Sequence, residues 1–201
     1  MLELNPRQTG FVICDMQNDF VHPDGAYGRA GQTSAAIAAL PERQKLVAEA
    51  ARIADAWVIS THFTLVPGRH DVPFISDHLK QLRPFLGKGD FASGSFGHSL
   101  IDELQPVDFA VEKVAFSAFY MSRLEWVLRR AEIETLIFCG IVTNGGVAST
   151  VRDAHVRDFR CIVLEDGCAA FSEEAHRSSI GSLSTLAEIA SCADAAAAFT
   201  G

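Results

Sequence analysis

The sequence predicts one doubly wound α/β domain over residues 1–201, with a parallel sheet of about six strands flanked by helices. Short apolar runs of strand length recur along the chain with helical stretches between them. These runs are continuously apolar instead of alternating, which is typical of a parallel sheet covered on both faces. The chain has 201 residues, 48% of them hydrophobic, which suits one domain with a sizeable core, and no internal repeat or linker is visible.

The elements are assigned from apolar periodicity and from glycine and proline positions. The first half is predicted to contain strands at 11–14, 57–60 and 108–113 and a helix at 35–54. Pro41 shifts or interrupts the start of that helix, and residues 62–107 form a long irregular segment. The second half is predicted to contain strands at 135–140, 159–166 and 187–191 and helices at 122–130, 145–158, 173–186 and 193–199.

Composition limits the class of partner. The formal net charge is -8, so no overall basic field is present to hold nucleic acid or an anionic membrane. The first residues lack the apolar core of a secretory signal, and no apolar run is long enough to cross a bilayer. Five scattered cysteines, mostly inside apolar runs, indicate reduced and buried thiols. We therefore expect a cytoplasmic protein that acts on a small molecule, without nucleic-acid or membrane partners.

Three strand ends carry groups that are suited to catalysis. Asp15 follows the first strand, Lys113 ends the third, and the segment 140–146 joins a strand to a helix through Thr143-Asn144-Gly145-Gly146. A carboxylate at a buried strand end is partly desolvated, which tunes its proton affinity for acid–base work. A neighbouring lysine would keep that carboxylate anionic or orient an oxyanion, and the amides of the turn would receive negative charge.

Each of these groups also has an ordinary structural interpretation. A single aspartate after a strand often caps a helix, and a single lysine there is usually on the surface. The Asn-Gly-Gly sequence is common in plain turns, and it matches no glycine-rich nucleotide-binding pattern, so a nucleotide-dependent oxidoreductase has little support. The spacing along the chain does not by itself show that the three strand ends meet.

Three separated motifs, taken together and in order, resemble the isochorismatase-like (cysteine hydrolase) superfamily. They are VICDMQNDF at 12–20, VEKVAFSAF at 111–119 and CGIVTNGGVASTVRDAHVRDFRCIVLEDGCAA at 139–170. The resemblance implies catalytic roles for Asp15 and Lys113 and places Gly146 where most relatives carry the nucleophilic cysteine. It also implies a cis peptide bond ahead of that position, between Ile141 and Val142.

Glycine cannot form a thioester intermediate, and none of the five cysteines is a convincing replacement. Cys14, for example, should point to the opposite side of its strand from Asp15. True isochorismatases also have glycine here and cleave an enol ether without a covalent enzyme intermediate. The resemblance therefore implies that Asp15 acts as a general acid and that water attacks, while Lys113 and the backbone amides near Gly146 bind substrate carboxylates.

The match to that subgroup is incomplete, so isochorismate is only one candidate substrate. True isochorismatases have a turn of the form AH-x-GC, and they carry a glutamine where this chain has Phe63. Aromatic residues near strand ends suggest an apolar pocket; most of the candidates at 74, 91, 96, 116 and 120 are expected to be core, with Phe63 and Phe119 favoured as pocket residues. The predicted substrate-binding residues are Phe20, Phe63, Phe119, Ile141, Val142, Thr143, Asn144 and Gly145.

No metal or cofactor is expected. His62, His70 and His78 lie where some relatives bind a metal, but their spacing of eight residues suits no local ligand pattern, so surface or loop positions are favoured. The resemblance implies a homodimer or homotetramer. The leading hypothesis is a hydrolase that uses Asp15 and Lys113 with a backbone role for Gly146. The alternative is a small-molecule binding protein that kept the pocket after losing catalysis.

Overall fold

Six parallel strands form one sheet in the computed structural model, which describes residues 2–201. Their order across the sheet is β3-β2-β1-β4-β5-β6, and every neighbouring pair is parallel. This confirms the predicted fold class. The strands are β1 (Thr9–Cys14), β2 (Trp57–Phe63), β3 (Phe109–Lys113), β4 (Thr135–Ile141), β5 (Arg160–Ala169) and β6 (Glu188–Ala190).

Helices cover both faces of the sheet, which explains the continuous hydrophobicity of its strands. One core lies between the sheet and helices α4 and α9, and a second lies between the sheet and helices α6, α7 and α8. The helices are α1 (Asn18–Val21), α2 (Ala26–Arg29), α3 (Ala35–Ala38), α4 (Leu40–Ile53), α5 (Asp77–Leu82), α6 (Leu124–Arg130), α7 (Ala148–His155), α8 (Glu173–Leu183) and α9 (Cys192–Thr200).

The order of the strands creates a crevice at one place on the sheet. From β1 the chain builds outward through β2 and β3, then returns to β4 on the other side of β1. In doubly wound sheets, ligands bind outside the carboxyl ends of the strands at such a reversal point. The reversal therefore places the residues that follow β1 and β4 at the most favourable position for a site.

The structure changes several predicted boundaries. The helix expected at 35–54 is divided at Ala39 into α3 and α4, and Pro41 lies in the first turn of α4, as its missing N–H favours. The strand β2 continues to Phe63 because its last residues pair with β3. The helix expected at 145–158 is instead a π-helical turn (Thr143–Val147) followed by α7. The irregular segment contains α5, and it begins only after β2 ends.

All five cysteines are buried and free, as the sequence predicts. Burial raises the pKa of Cys161 to about 12 and raises the pKa of Cys14 further, so these thiols stay protonated at neutral pH. None of the helices within residues 2–201 combines the length and the apolar character that a membrane crossing requires.

Candidate active site

Asp15 and Lys113 form a buried ion pair at the carboxyl end of the sheet. The Asp15 Oδ2 to Lys113 Nζ distance is 2.7 Å, and the two side chains are 6% and 1% exposed. Asp15 follows the central strand β1 and Lys113 ends the edge strand β3; β2 lies between these strands and carries Thr61, which contacts Asp15. The two strand ends that the sequence singled out are therefore brought together.

Lys113 uses all of its hydrogen-bond donors within the protein. Its ammonium group donates to the backbone oxygens of Ala115 at 3.0 Å and Phe116 at 3.1 Å, in addition to its contact with Asp15. An ammonium group has three N–H bonds, and these three partners account for them. The expectation that Lys113 binds a substrate carboxylate stays a prediction, and in this arrangement such a contact would require one of these bonds to break.

Thr61 completes the surroundings of Asp15, and no sequence argument assigned it a role. Its hydroxyl donates to Asp15 Oδ1 at 2.8 Å, so both carboxylate oxygens have a partner. Burial raises the pKa of Asp15, while Lys113 and Thr61 favour the charged form and limit the rise. A carboxyl group balanced in this way can both hold and release a proton.

Gly146 lies directly beside this ion pair. A Cβ atom at Gly146 would come within 2.8 Å of Asp15 Oδ2, 3.2 Å of the Ile141 carbonyl oxygen and 3.6 Å of Lys113 Nζ. The position that the resemblance assigns to a nucleophile therefore faces Asp15 and Lys113. The peptide bond between Ile141 and Val142 is cis, as the resemblance implies.

Gly140 lets the end of β4 approach β1 closely enough to form this arrangement. Its φ of 113° is in the region that favours glycine, and a Cβ there would come within 2.1 Å of the Cys14 carbonyl oxygen. Cys14 itself packs in the core on the α6–α8 side of the sheet. The glycine therefore brings the turn after β4 against the residue that follows β1.

A cavity of about 190 Å³ opens above Asp15, Lys113 and Gly146; we call it the Asp15 cavity. Five of the eight predicted substrate-binding residues line it, namely Phe20, Phe63, Val142, Asn144 and Gly145. Ile141 instead packs its side chain into the core between the sheet and helices α4 and α9. The Thr143 hydroxyl is hydrogen-bonded to His176 Nδ1 at 2.8 Å, which ties the turn to α8.

Phe119 does not line the Asp15 cavity. It lies in the other core, with its ring centroid 6.1 Å from that of Phe159 and 4.9 Å from the Arg157 guanidinium. The chain stays beside Lys113 as far as Phe116 and then turns towards α7, where the Ala118 N–H donates to Thr150, so closeness in sequence to Lys113 does not place Phe119 in the cavity. Phe91 and Phe116 also line the cavity, and of these two only Phe91 is in the core as expected. The expectation that most of the other aromatic candidates are core is wrong, because Phe74, Phe96, Phe116 and Tyr120 are exposed.

The rest of the cavity wall comes from residues that no motif indicated. Tyr27 of α2 stacks on Phe171, with centroids 5.4 Å apart and an interplanar angle of 13°. The remaining wall residues all come from α5 and the loop after it, inside the segment predicted to be irregular. They are Leu79, Leu82, Arg83 and Leu86.

Two polar residues of the first motif hold the loops around the cavity in place. Gln17 accepts from the Phe63 backbone N–H at 2.7 Å and donates to the Phe63 oxygen at 3.0 Å and the His98 oxygen at 2.9 Å. The buried Asp19 carboxylate accepts from the N–H groups of Ala26 at 2.8 Å and Phe91 at 2.6 Å. These bonds join segments that are far apart in sequence.

Of the three histidines considered as metal ligands, one is buried and two are exposed. His62 was expected on the surface or in a loop, but it lies in β2 and is buried, with Nε2 2.8 Å from Ser60 Oγ and its ring 5.2 Å from that of His98. His70 and His78 are exposed. Across residues 2–201, no group of three or more histidine, cysteine, aspartate or glutamate side chains is arranged to hold a metal ion.

The isochorismatase domain family matches residues 9–195. The ureidoacrylate amidohydrolase RutB of Acinetobacter baylyi is 32% identical, over 92% of this chain and 80% of that protein, and the one from Caulobacter segnis is 35% identical, over 81% and 73%. A cysteine hydrolase structure from Pseudomonas syringae has a TM-score of 0.85 at 25% identity, covering 100% and 96% of the two chains. The chain therefore belongs to the isochorismatase family of hydrolases.

Proposed function

We propose that this protein hydrolyses a C–O or C–N bond of a small metabolite by acid–base catalysis at Asp15, without a covalent enzyme intermediate. The observation that supports this most directly is the buried Asp15–Lys113 ion pair at the floor of the cavity, with the backbone of Gly146 against it. Burial favours the protonated carboxyl group and Lys113 favours the carboxylate, so Asp15 can exchange a proton with a bound substrate.

The side chains around the cavity support direct attack by water. Gly146 has no side chain, and none of the five cysteines is among the residues that line the cavity. Burial also raises the pKa of these thiols, which keeps them in the poorly nucleophilic protonated form. Water is therefore the nucleophile in the proposed reaction.

The geometry supports a simple cycle. An atom placed where a Gly146 side chain would begin lies 2.8 Å from Asp15 Oδ2, which is hydrogen-bonding distance for an oxygen or nitrogen. Asp15 gives its proton to the substrate, and the bond to the leaving group breaks as water adds to the carbon. Lys113 and Thr61 stabilise the carboxylate that forms. The attacking water then returns a proton to Asp15, which regenerates the enzyme.

Two bond classes are candidates. The related RutB proteins are named for the hydrolysis of ureidoacrylate, which supports an amide-type C–N bond. The glycine at position 146, by its resemblance to true isochorismatases, supports an enol-ether C–O bond. A panel containing ureidoacrylate, isochorismate and simple amides and esters covers both classes.

Asp15→Asn tests the proposal. We expect turnover of any active panel compound to fall by about 100-fold or more, because an amide cannot transfer the proton. Circular dichroism and the urea unfolding midpoint would show whether the fold is retained. The matched control is Asp102→Asn, which makes the same change at an exposed aspartate that does not line the cavity and should leave turnover unchanged. Normal turnover by Asp15→Asn would refute the proposal.

A separate measurement tests whether a covalent enzyme intermediate forms. Intact-mass spectrometry of the enzyme during turnover should show only the unmodified chain. A mass increase equal to part of the substrate would overturn this element of the proposal, whatever the effect of Asp15→Asn.

A small-molecule binding role is the second candidate, and the missing nucleophile at Gly146 is the observation that favours it. In that case no panel compound is turned over, yet one of them binds and stabilises the protein against heat. We also propose a cytoplasmic location and a homodimeric or homotetrameric assembly. Cell fractionation and light scattering coupled to size-exclusion chromatography test these two points.

A further inference from the structure

We propose that Arg83 forms the carboxylate subsite of the Asp15 cavity, and that the substrate is a small monocarboxylate with a flat, apolar body. The inference rests on the proposed function for the reaction that follows binding. The charges, contacts and shape of the cavity support the recognition itself.

The charges of the cavity indicate Arg83. Lys113 and Arg83 are the cationic side chains that line it. Lys113 lies at the floor with its three donors used by Asp15 and two backbone oxygens. Arg83 makes no ion pair with any acidic residue within 2–201. A negatively charged ligand would therefore find its partner at Arg83.

The hydrogen bonds of Arg83 leave most of its donors available. Nε donates to the Tyr27 hydroxyl at 3.0 Å, and Nη1 donates to the Leu82 backbone oxygen at 2.9 Å. A guanidinium group has five N–H bonds, so three remain for a ligand. These include both N–H bonds of Nη2 and one of Nη1, which together suit the two oxygens of a carboxylate.

Tyr27 holds Arg83 at the wall of the cavity. Its ring is buried, stacked on Phe171 and in edge contact with Phe85, with centroids 5.4 Å and 5.0 Å away. Burial raises the pKa of Tyr27, so the phenol stays neutral at physiological pH and accepts the Arg83 hydrogen bond. An arginine fixed in this way loses less conformational freedom when a ligand binds.

The shape and lining of the cavity define the rest of the ligand. Its walls are mostly aromatic rings and leucine side chains, and its volume is about 190 Å³. Apolar cavities of about 150 Å³ accommodate a benzene ring, so a ring or a short conjugated chain fits here. Since Lys113 is already paired, a second carboxylate on the ligand would have no cation beside it. The cavity thus favours a monocarboxylate over a dicarboxylate.

Binding of benzoate, benzamide and phthalate tests the inference without any need for turnover. Benzoate and benzamide share a ring and differ in charge, and phthalate adds a second carboxylate. By calorimetry at low salt, we expect the unmodified protein to bind benzoate at least about tenfold more tightly than benzamide or phthalate, as a charge-assisted contact should provide.

Three variants test whether Arg83 supplies the positive charge that binds benzoate. Arg83→Met should weaken benzoate binding by about tenfold or more and leave benzamide binding unchanged, because methionine keeps an apolar stem without the charge. Arg83→Lys should retain part of the preference for benzoate, since it keeps the charge but loses the paired donors. The matched control, Arg69→Met, removes the same charge from an exposed residue outside the cavity and should change neither affinity.

Equal affinities for benzoate and benzamide, no binding of either, or unchanged benzoate binding by a folded Arg83→Met protein would overturn the inference. Phthalate binding as tight as that of benzoate would overturn its limit to monocarboxylates. Failure of this inference can be distinguished from failure of the proposed function. If benzoate binding depends on Arg83 but no panel compound is turned over, the proposed reaction is refuted and the carboxylate subsite is supported. If turnover depends on Asp15 but benzoate binding does not depend on Arg83, only the carboxylate subsite is refuted.

Discussion

At the scale of single residues, Gly146 controls the space in front of Asp15. A Cβ there would lie 2.8 Å from Asp15 Oδ2, which is closer than normal carbon–oxygen contacts. The Asp15 carboxylate is held by Lys113 and Thr61, so it cannot move aside without weakening one of those contacts. A side chain at position 146 would therefore have to displace the Asp15 carboxylate from its present position, and the absence of one is the reason why no covalent step is proposed there.

Gly146→Ala should reduce kcat by about tenfold to 100-fold, because the added methyl group displaces the carboxylate and fills the space proposed for the reacting atoms. KM should change less, since the carboxylate subsite at Arg83 is untouched. The control is Gly181→Ala in α8, where a Cβ meets nothing within 4 Å. It should leave kcat unchanged and raise the free energy of unfolding by up to about 1 kcal/mol. Full activity of Gly146→Ala would show that the space is not used.

At the scale of elements, the sheet could be predicted from sequence, but much of the cavity wall could not. The strands are local apolar runs, and strand ends such as Asp15 and Lys113 follow directly from them. Arg83 and Tyr27, in contrast, reach the cavity through the placement of α5 and α2, which depends on contacts between distant segments. The same limitation explains Phe119: its position near Lys113 in sequence says nothing about the turn of the chain between them.

Asp19 shows how such distant contacts are made. It belongs to a recognised motif, yet its role is visible only in the structure, where it joins α2 to the loop that carries Phe91. Asp19→Asn should lower the free energy of unfolding by about 1 to 3 kcal/mol, because the side-chain NH₂ group would face one of two backbone N–H donors. Benzoate affinity should fall as well, since Tyr27 and Phe91 both line the cavity.

Urea unfolding and calorimetry measure these two effects. The control for Asp19→Asn is Asp77→Asn at the exposed start of α5, where the carboxylate makes no hydrogen bond with any residue in 2–201 that would be lost. A cost to stability with unchanged benzoate affinity would mean that Asp19 supports the fold but does not shape the cavity.

At the scale of the whole molecule, the buried His62 should make the protein sensitive to acid. Burial, reinforced by the nearby His98, lowers the pKa of His62 from 6.5 to about 4, while Glu112 opposes the shift. The folded protein therefore holds this ring neutral, whereas the unfolded chain takes up a proton near pH 6.5. The stabilising contribution is complete above pH 6.5 and is lost as the pH falls towards 4. Burial lowers the pKa of His98 as well, and it acts in the same direction.

Asp15 changes the unfolding free energy with pH in the opposite direction from His62. Burial raises its pKa, so the folded protein binds a proton more tightly than the unfolded chain and gains relative stability as the pH falls. A pH profile of the unmodified protein mixes both effects, and a substitution at His62 is needed to separate them. His62→Gln removes the titrating ring and keeps a polar group near Ser60.

Between about pH 7.5 and about pH 4.5, the shift of His62 is worth about 2 to 3 kcal/mol of unfolding free energy. The loss of stability over this interval, measured by urea unfolding, should therefore be smaller by that amount in His62→Gln. His155→Gln, the same change at an exposed histidine, should lose as much stability as the unmodified protein. A buried neutral imidazole must lower the stability once the unfolded chain can be protonated, so its removal must reduce the loss. If His62→Gln loses as much unfolding free energy as the unmodified protein, the acid sensitivity arises from another group.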